Sequence, residues 1–302
     1  MSAGGSLKVI LGSLACNLGI ACAKGVAAFL TGSGALVAEA IHSSADCMNQ
    51  VLLLVGGRQA ARPPSDTHPL GHGRAAYFWS FLVALMIFFG GGVFSIREGV
   101  EKVLHPDPVE HVWVGIAVLA VSLVMEGLAL WQCVIALNER RGTTGFWAYL
   151  RRTTDADLVV LFAENAAAVV GLGIAFLAIA LASLTGDARW DGVGSIVIGG
   201  LLTVIAIFLA REVASLLMGE RADPSIEAAL REEAAADAQV GTVLRVLTVQ
   251  QGPGQVMIAA KLKVPAALPA GDVALAFNRL EGRMRARCPD VKWQFLEPDV
   301  ED

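Results

Sequence analysis

Long apolar stretches alternate with short segments rich in Gly, Pro or charge over most of the chain. Six of these stretches reach about 20 residues, the length that a helix needs to cross a bilayer. They are approximately Val9–Leu30, Gly34–Gly57, Ala75–Ile96, Val112–Leu137, Leu158–Leu184 and Val193–Ala210. The pattern predicts an α-helical membrane protein with a six-helix transmembrane bundle over residues 1–217.

The pattern changes after this region, where the segments become shorter and more polar. Residues 218–302 contain 10 of the 23 Lys and Arg residues and 13 of the 28 Asp and Glu residues. Pro224–Asp237 and Val273–Arg287 have helical spacing, whereas three further segments are typical of strands, namely Val243–Gln250, Gln255–Val264 and Val291–Glu297. The order αββαβ predicts a separate α+β domain over residues 218–302, similar in fold to metallochaperone-like domains.

Composition and charge narrow the class of protein. The chain is 55% hydrophobic and 17% charged, which excludes a disordered or a secreted disulfide-rich protein. Its net charge of −5 argues against nucleic acid as a partner. Lys and Arg concentrate at the N-terminus and in the second and fourth connections between the stretches. The positive-inside rule therefore predicts cytoplasmic termini and a cytoplasmic C-terminal domain.

Ionisable residues inside an apolar stretch are costly, so each is a candidate functional residue. In the second stretch Glu39, His42, Asp46 and Asn49 recur every three or four residues and form one stripe on a helix face. His42 and Asp46, one turn apart, supply the imidazole and carboxylate ligands that suit Zn²⁺ and similar ions. The alternative is that His42 only hydrogen-bonds a neighbouring helix.

Two ligands do not complete a tetrahedral site, so another helix is expected to contribute. Glu164 and Asn165 lie in the otherwise apolar fifth stretch. Glu164 is the candidate third ligand, with Asn165 or water as the fourth. The alternative for Glu164 is an ion pair with Lys24, although Lys24 is expected to pair with Glu39 or with Glu126 of the fourth stretch. Glu126 fits a proton-carrying role and a structural role equally.

The connection between the second and third stretches contains a further candidate site. It reads Asp66-Thr67-His68-Pro69-Leu70-Gly71-His72-Gly73-Arg74. Asp66, His68 and His72 are spaced so that they could hold a second, more exposed metal ion. A turn with solvated histidines is the alternative, and composition does not decide between them.

Two motifs together resemble the cation diffusion facilitator family of zinc-transporter-type proteins over nearly the whole chain. One is Thr31-Gly32-Ser33-Gly34-Ala35-Leu36 followed by His42, Asp46 and Asn49, and the other is the His68–Arg74 segment. The resemblance implies a homodimeric, proton-coupled exporter of divalent transition metals. It also implies a transport site that combines an HxxxD or DxxxD motif of the second helix with an HxxxD motif of the fifth.

On that resemblance, His42 and Asp46 match the second-helix motif, while Glu164 falls on the fifth-helix acid and Val160 on its histidine. A valine cannot ligate a metal ion. The chain therefore resembles the mitochondrial-type subgroup, whose fifth span is acidic, and we expect a site with one histidine and two carboxylates.

This chain departs from the family pattern at two other features. Relatives form a charge lock between the residue after the His-Gly pair and the end of the sixth span. Arg74 matches the first position, Met218 stands in the acid's place, and Glu220 is the nearest substitute. The C-terminal domain contains no histidine, so we expect dimerisation to depend on packing and not on a regulatory metal.

The sequence thus predicts an antiporter and not an enzyme, which exports divalent metal, most of all Zn²⁺, in exchange for protons. Metal and protons are its cargo, and no resident cofactor is expected. The predicted location is a bacterial inner membrane. The alternative is a membrane-anchored metal sensor or scaffold, whose C-terminal domain binds a partner protein without transport.

Overall fold

The computed structural model describes residues 3–107, 111–142, 144–152 and 156–299. It divides into two compact units, one of Met1–Leu54 with Ser80–Glu212 and the other of Val55–Trp79 with Val213–Asp302. We call them the helical unit and the sheet unit. The sheet unit includes residues 55–79 as well as the C-terminal residues. The predicted domain boundary between residues 217 and 218 stays a prediction.

Long apolar helices account for most of the chain up to residue 218. Their bounds are α1 Ala3–Thr31, α2 Gly34–Ala60, α3 Ala75–Met86, a π-helix Ile87–Val93, α4 Phe94–Leu104, α5 Val112–Arg141, α6 Phe146–Arg152, α7 Ala156–Thr185 and α8 Arg189–Met218. The α3, π-helical and α4 segments follow one another directly and form a continuous helical rod. Its π-helical turns contain three consecutive glycines, and the hydrophobic pattern alone did not predict them.

Four helical segments of the described residues are long and apolar enough to cross a membrane, namely Ala75–Leu104, Val112–Glu139, Glu164–Thr185 and Arg189–Met218. Asn17–Thr31 is apolar but shorter. Helix α2 has 27 residues, but its polar stripe lowers its mean hydropathy. The chain is therefore a multi-pass helical membrane protein, and the count of six spans stays a prediction.

Within the helical unit, the α3–α4 rod and helix α8 meet through glycines. A Cβ on Gly99 would lie 2.6 Å from the carbonyl oxygen of Gly192, and one on Gly199 would lie 2.8 Å from that of Gly92. These positions require glycine because a neighbouring backbone cannot move aside as a side chain can. Close backbone approach of this kind is how membrane helices gain packing without a hydrophobic drive.

The turn between α1 and α2 is held by a buried carboxylate from α8. Asp191 accepts hydrogen bonds from Oγ of Ser33 at 2.5 Å and from the backbone N–H of Gly34 at 2.6 Å. Nζ of Lys102 lies 3.4 Å from Asp191 and also donates to the carbonyl oxygen of Gly32. These contacts satisfy backbone groups that helix ends leave open. We call Ser33, Gly34, Lys102 and Asp191 the anchor cluster.

The C-terminal part of the sheet unit has its elements in the order that the sequence predicts. They are α9 Pro224–Ala235, β1 Val243–Gly252, β2 Gln255–Lys263, α10 Ala270–Arg287 and β3 Val291–Asp299. The central strand β2 pairs antiparallel with β1 and parallel with β3. Both helices share one buried core with alternate residues of β2, namely Val256, Ile258, Ala260 and Leu262. The result is a small mixed sheet, and its likeness to metallochaperone-like domains stays a prediction.

Candidate metal site in the helical unit

The polar stripe predicted in the second stretch lies on α2 and is largely buried. The exposed fraction is 0% for Glu39, 4% for His42 and 6% for Asn49, whereas the side chain of Asp46 is 23% exposed. Nε2 of His42 and Oδ2 of Asp46 lie 3.8 Å apart. Two ligands of a tetrahedral zinc ion are about 3.4 Å apart, since each lies about 2.1 Å from the metal. The two atoms are therefore near the spacing that one shared ion requires.

Helix α7 brings Glu164 to the same stripe. Nδ2 of Asn49 donates a hydrogen bond to Oε1 of Glu164 at 2.5 Å. The carboxylates of Asp46 and Glu164 are close enough to interact electrostatically. Asn165 follows Glu164 and is half-buried. The side chain of Val160 lies outside those that the structure describes.

A second contact determines how α2 and α7 face each other. A Cβ on Gly171 would lie 2.4 Å from Oε1 of Glu39, so the carboxylate of Glu39 packs directly against α7. Along α2 the contact at Glu39 comes before the one at Asn49, whereas along α7 the contact at Gly171 comes after the one at Glu164. The two helices are therefore antiparallel. The predicted α2 ligands lie between the two contacts, opposite small α7 residues such as the buried Ala168.

The partner of Lys24 is Glu39. Nζ of Lys24 lies 3.1 Å from Oε2 of Glu39 and donates to Oγ of Ser43 at 2.7 Å. Lys24 and Glu39 both have an exposed fraction of 0%. Glu126 of α5 interacts electrostatically with Lys24 and with Asp46, so it belongs to the same polar interior. The alternative role of Glu164 as the partner of Lys24 is wrong for this arrangement, because Lys24 pairs elsewhere.

Some polar atoms at this site have no hydrogen-bond partner among the described residues, namely Nδ1 and Nε2 of His42 and Oε1 of Glu39. Buried polar atoms are nearly always paired, so each exception needs an explanation. An imidazole with free nitrogens is suited to a proton or a metal ion. Across the described ranges no three His, Cys, Asp or Glu side chains converge closely enough to hold a metal. His42–Asp46 and Asn49–Glu164 are thus two adjacent pairs and not a closed coordination shell.

The second predicted site lies in the sheet unit, in the connection between α2 and α3. The ring centroids of His68 and His72 are 4.2 Å apart, and Nδ1 of His68 lies 3.0 Å from Oγ1 of Thr67. Nδ1 of His72 is buried with no hydrogen-bond partner in the described part of the chain. Asp66 is exposed. Among the described residues, which include all of these, it does not form a group of three ligands with His68 and His72. A metal site here stays a prediction.

Arg74 has a different partner from the one that the charge lock predicts. Its Nε donates to Oε1 of Gln251, near the end of β1, at 3.0 Å. The backbone oxygen of Glu220 accepts from the N–H of Gln250, and no ion pair joins Arg74 to Glu220 among the described residues. Next to Arg74, a Cβ on Gly252 would lie 2.7 Å from Cα of Gly73. A hydrogen bond from the charged guanidinium to a neutral amide, beside a backbone contact, thus stands where an ion pair was expected.

Comparison with known proteins identifies the class. The family model described as the cation efflux transmembrane domain matches residues 10–218. This match covers more than half of the chain and includes both helices that carry the candidate site.

Relatives with curated names agree with this match. The Xenopus laevis "Proton-coupled zinc antiporter SLC30A9, mitochondrial" is 34% identical over 237 residues, which are 77% of this chain and 42% of that protein. The Homo sapiens protein of the same name is 33% identical over 261 residues, or 84% and 45%. "Metal tolerance protein C4" of Arabidopsis thaliana is 30% identical over 220 residues, or 72% and 48%. The chain spans less than half the length of these relatives. The family match, with these identities, shows that the chain belongs to the cation diffusion facilitator family of cation efflux transporters.

Proposed function

We propose that the chain is a proton-coupled antiporter that exports divalent transition-metal cations, Zn²⁺ above all, from the cytoplasm. One observation carries the proposal. His42 and Asp46 lie 3.8 Å apart on a buried face of α2, and the same face is joined to Glu164 of α7 through Asn49. Two relatives are named as proton-coupled zinc antiporters, which supports zinc as the cargo.

The donor atoms present suit such an ion. His42, Asp46 and Glu164 are the proposed ligands, with Asn165 or water as the fourth. One imidazole and two carboxylates balance the charge of a divalent cation and combine nitrogen and oxygen ligands, as zinc sites do. Binding then exchanges the hydrogen bond from Asn49 to Glu164 for a bond to the metal, which draws the two adjacent pairs into one shell.

Proton coupling follows from the same atoms. Imidazole and carboxylate groups must be deprotonated to bind metal, so metal and protons compete for them. Metal arriving from the cytoplasm displaces the protons, and a rearrangement of the helices then presents the site to the other side. Protons there displace the metal. Histidine is suited to this exchange because its charge changes near neutral pH.

The proposal includes an arrangement in the membrane. Helices α1 and α2, with 29 and 27 residues, are long enough to complete six spans. The excess of Lys and Arg in the second and fourth connections supports cytoplasmic termini, in a bacterial inner membrane. Two copies form a homodimer, and His68 with His72 is the core of a second, accessory metal site.

Flux measurements on the purified full chain in sealed proteoliposomes test this function. We expect Zn²⁺ to move fastest in a panel with Co²⁺, Ni²⁺, Cd²⁺, Fe²⁺ and Mn²⁺, at a rate that rises with an opposing proton gradient. Asp46→Ala should abolish the flux. Ser44→Ala is the matched control, because Ser44 is exposed on the same helix and its hydroxyl donates to the Ala40 carbonyl within α2.

The outcomes separate the alternatives. Wild-type flux in Asp46→Ala would reject the site, and flux that ignores the proton gradient would indicate a channel. A sensor or scaffold would carry no metal in any arm, while its binding of a partner protein would survive Asp46→Ala.

A further inference from the structure

The buried ion pair between Lys24 and Glu39 has no part in the proposed transport step, although it lies beside the site. Nζ of Lys24 is 3.1 Å from Oε2 of Glu39 and donates to Ser43, the residue that follows His42. Both charged residues are fully buried. A buried ion pair is weak evidence for stability, because apolar residues of the same volume often stabilise a fold as much or more, so the pair invites a further explanation.

Glu39 is placed to be a metal ligand. It precedes His42 by three residues, so the two side chains are neighbours on the surface of α2. Glu39 lies on the same face of α2 as His42 and Asp46, so it is the additional carboxylate that this face could offer to a metal ion. Oε1 of Glu39 already has no hydrogen-bond partner among the described residues, and Gly171 leaves room for it against α7.

The ammonium of Lys24 holds Glu39 away from this role. It neutralises the carboxylate and engages Oε2, while its second contact with Ser43 fixes the ammonium within one residue of His42. A metal ion at His42 and Asp46 would need to compete with this tethered cation for Glu39.

We propose that Lys24 is a specificity-determining residue, which withdraws Glu39 from the metal site and so limits the site to one imidazole and two carboxylates. This inference depends on the proposed function. Its chemical basis is that imidazole ligands favour Zn²⁺, whereas sites richer in carboxylate favour Mn²⁺ and other hard cations. With Lys24 in place one of the three side-chain ligands is an imidazole, against one of four if Glu39 joined, and the two carboxylates match the charge of one divalent ion.

Binding of Zn²⁺ and Mn²⁺ to the purified full chain tests the inference by equilibrium dialysis. His68→Ala and His72→Ala are present in every variant, so that the loop histidines do not contribute. Lys24→Met releases Glu39, so we expect the ratio of Zn²⁺ to Mn²⁺ affinity to fall by at least about tenfold. Lys24→Met with Glu39→Gln removes both charges and should restore the wild-type ratio. An unchanged ratio in Lys24→Met would overturn the inference.

Glu39→Gln alone adds a test that does not require Lys24→Met to fold. It leaves the ammonium near the site without a counter-charge, so both metals should bind about tenfold more weakly than in the double variant, with no change in their ratio. Equal affinities in these two variants would show that the charge of Lys24 does not act on the site, and would also overturn the inference.

Failure of the proposed function looks different. In that case the background chain, with Lys24 and Glu39 intact, would bind neither metal in a manner that depends on Asp46, and both proposals would fall. If Asp46-dependent binding is present and only the variants of Lys24 and Glu39 behave otherwise than expected, the role of Lys24 alone is rejected.

Discussion

Helix α2 takes part in two buried polar clusters, which differ in how completely their atoms are hydrogen-bonded. At its first turn, in the anchor cluster, Asp191 accepts from Ser33 and Gly34 and lies beside Lys102. In its middle, both nitrogens of His42 lack a hydrogen-bond partner among the described residues. A fully paired buried group stabilises the fold, whereas an unpaired one costs stability and is kept for another reason. The hydrogen bonding of His42, more than its burial, therefore distinguishes the candidate metal site from the anchor cluster.

The largest expected effect comes from breaking the anchor cluster. Asp191→Ala removes the acceptor of the first N–H groups of α2 and leaves Lys102 without its carboxylate. We expect the free energy of unfolding in detergent to fall by about 3–5 kcal/mol. Asp187→Ala removes an exposed acid whose Oδ1 accepts from the backbone N–H of Arg189 at the start of α8, and should cost about 0.5–2 kcal/mol. Similar losses in the two variants would contradict a structural role for Asp191.

The opposite behaviour is expected at the centre of α2. His42→Leu replaces an unpaired polar ring with an apolar side chain of similar size. Metal flux should fall at least about 100-fold, while the free energy of unfolding without metal should stay within about 1 kcal/mol of wild type or rise. Flux and thermal unfolding of the same preparation provide the measurement. A loss of stability as large as that of Asp191→Ala would remove the distinction between the two clusters.

A third change tests the packing between α2 and α7. Gly171→Ala would place a Cβ 2.4 Å from Oε1 of Glu39, which is ion-paired and cannot easily move. We expect a loss of about 1–3 kcal/mol in thermal unfolding. Gly173→Ala on the same helix meets nothing within 4 Å, so it should be neutral or stabilising by up to about 1 kcal/mol. Equal effects at the two positions would mean that Glu39 does not pack against α7.

The smallest effect is expected at the surface of the sheet unit. The hydrogen bond from the backbone N–H of Gln239, and then the charges of Arg279 and Arg283, lower the pKa of Asp237 below its ordinary value. A lowered pKa in the folded state means that the carboxylate stabilises the fold above its unfolded pKa and loses this effect as the pH falls through the folded pKa.

Asp237→Asn should therefore cost less than about 1 kcal/mol at neutral pH, since the group is near solvent. The difference from wild type should disappear below the folded pKa of Asp237. Amide hydrogen exchange of the β-strands at several pH values measures this local stability. A difference that persists or grows in acid would show that the Asp237 carboxylate does not stabilise the fold in the way its lowered pKa predicts.

The residues of the candidate metal site are easier to single out from the sequence than those of the anchor cluster, for a physical reason. His42, Asp46 and Glu164 stand out because each interrupts an apolar stretch, and their helical spacing can be counted. Asp191 lies at the start of an apolar stretch, where an acid is an ordinary feature of a helix N-terminus. Its partner Gly34 is 157 residues away, and no local pattern indicates such a contact.

The same limit applies to Arg74 and to Lys24. Gln251 is a neutral residue near the end of a strand, so nothing in its surroundings marked it as the partner of Arg74. For Lys24 the sequence left Glu39 and Glu126 open, because both are acids in neighbouring apolar stretches, and only the packing of α1 against α2 selects Glu39. Strands β1 to β3 were simpler, since their β-branched runs and the Gly-Pro-Gly turn are local signals.

The central claim is that His42, Asp46 and Glu164 bind one metal ion together. Calorimetric titration of Zn²⁺ into the purified full chain with His68→Ala and His72→Ala tests it most directly. We predict one Zn²⁺ per chain, and a loss of affinity of at least about 100-fold when Glu164→Gln is added, because a neutral amide replaces a charged ligand. Unchanged stoichiometry and affinity after Glu164→Gln would contradict the claim, since helix α7 would then contribute no ligand.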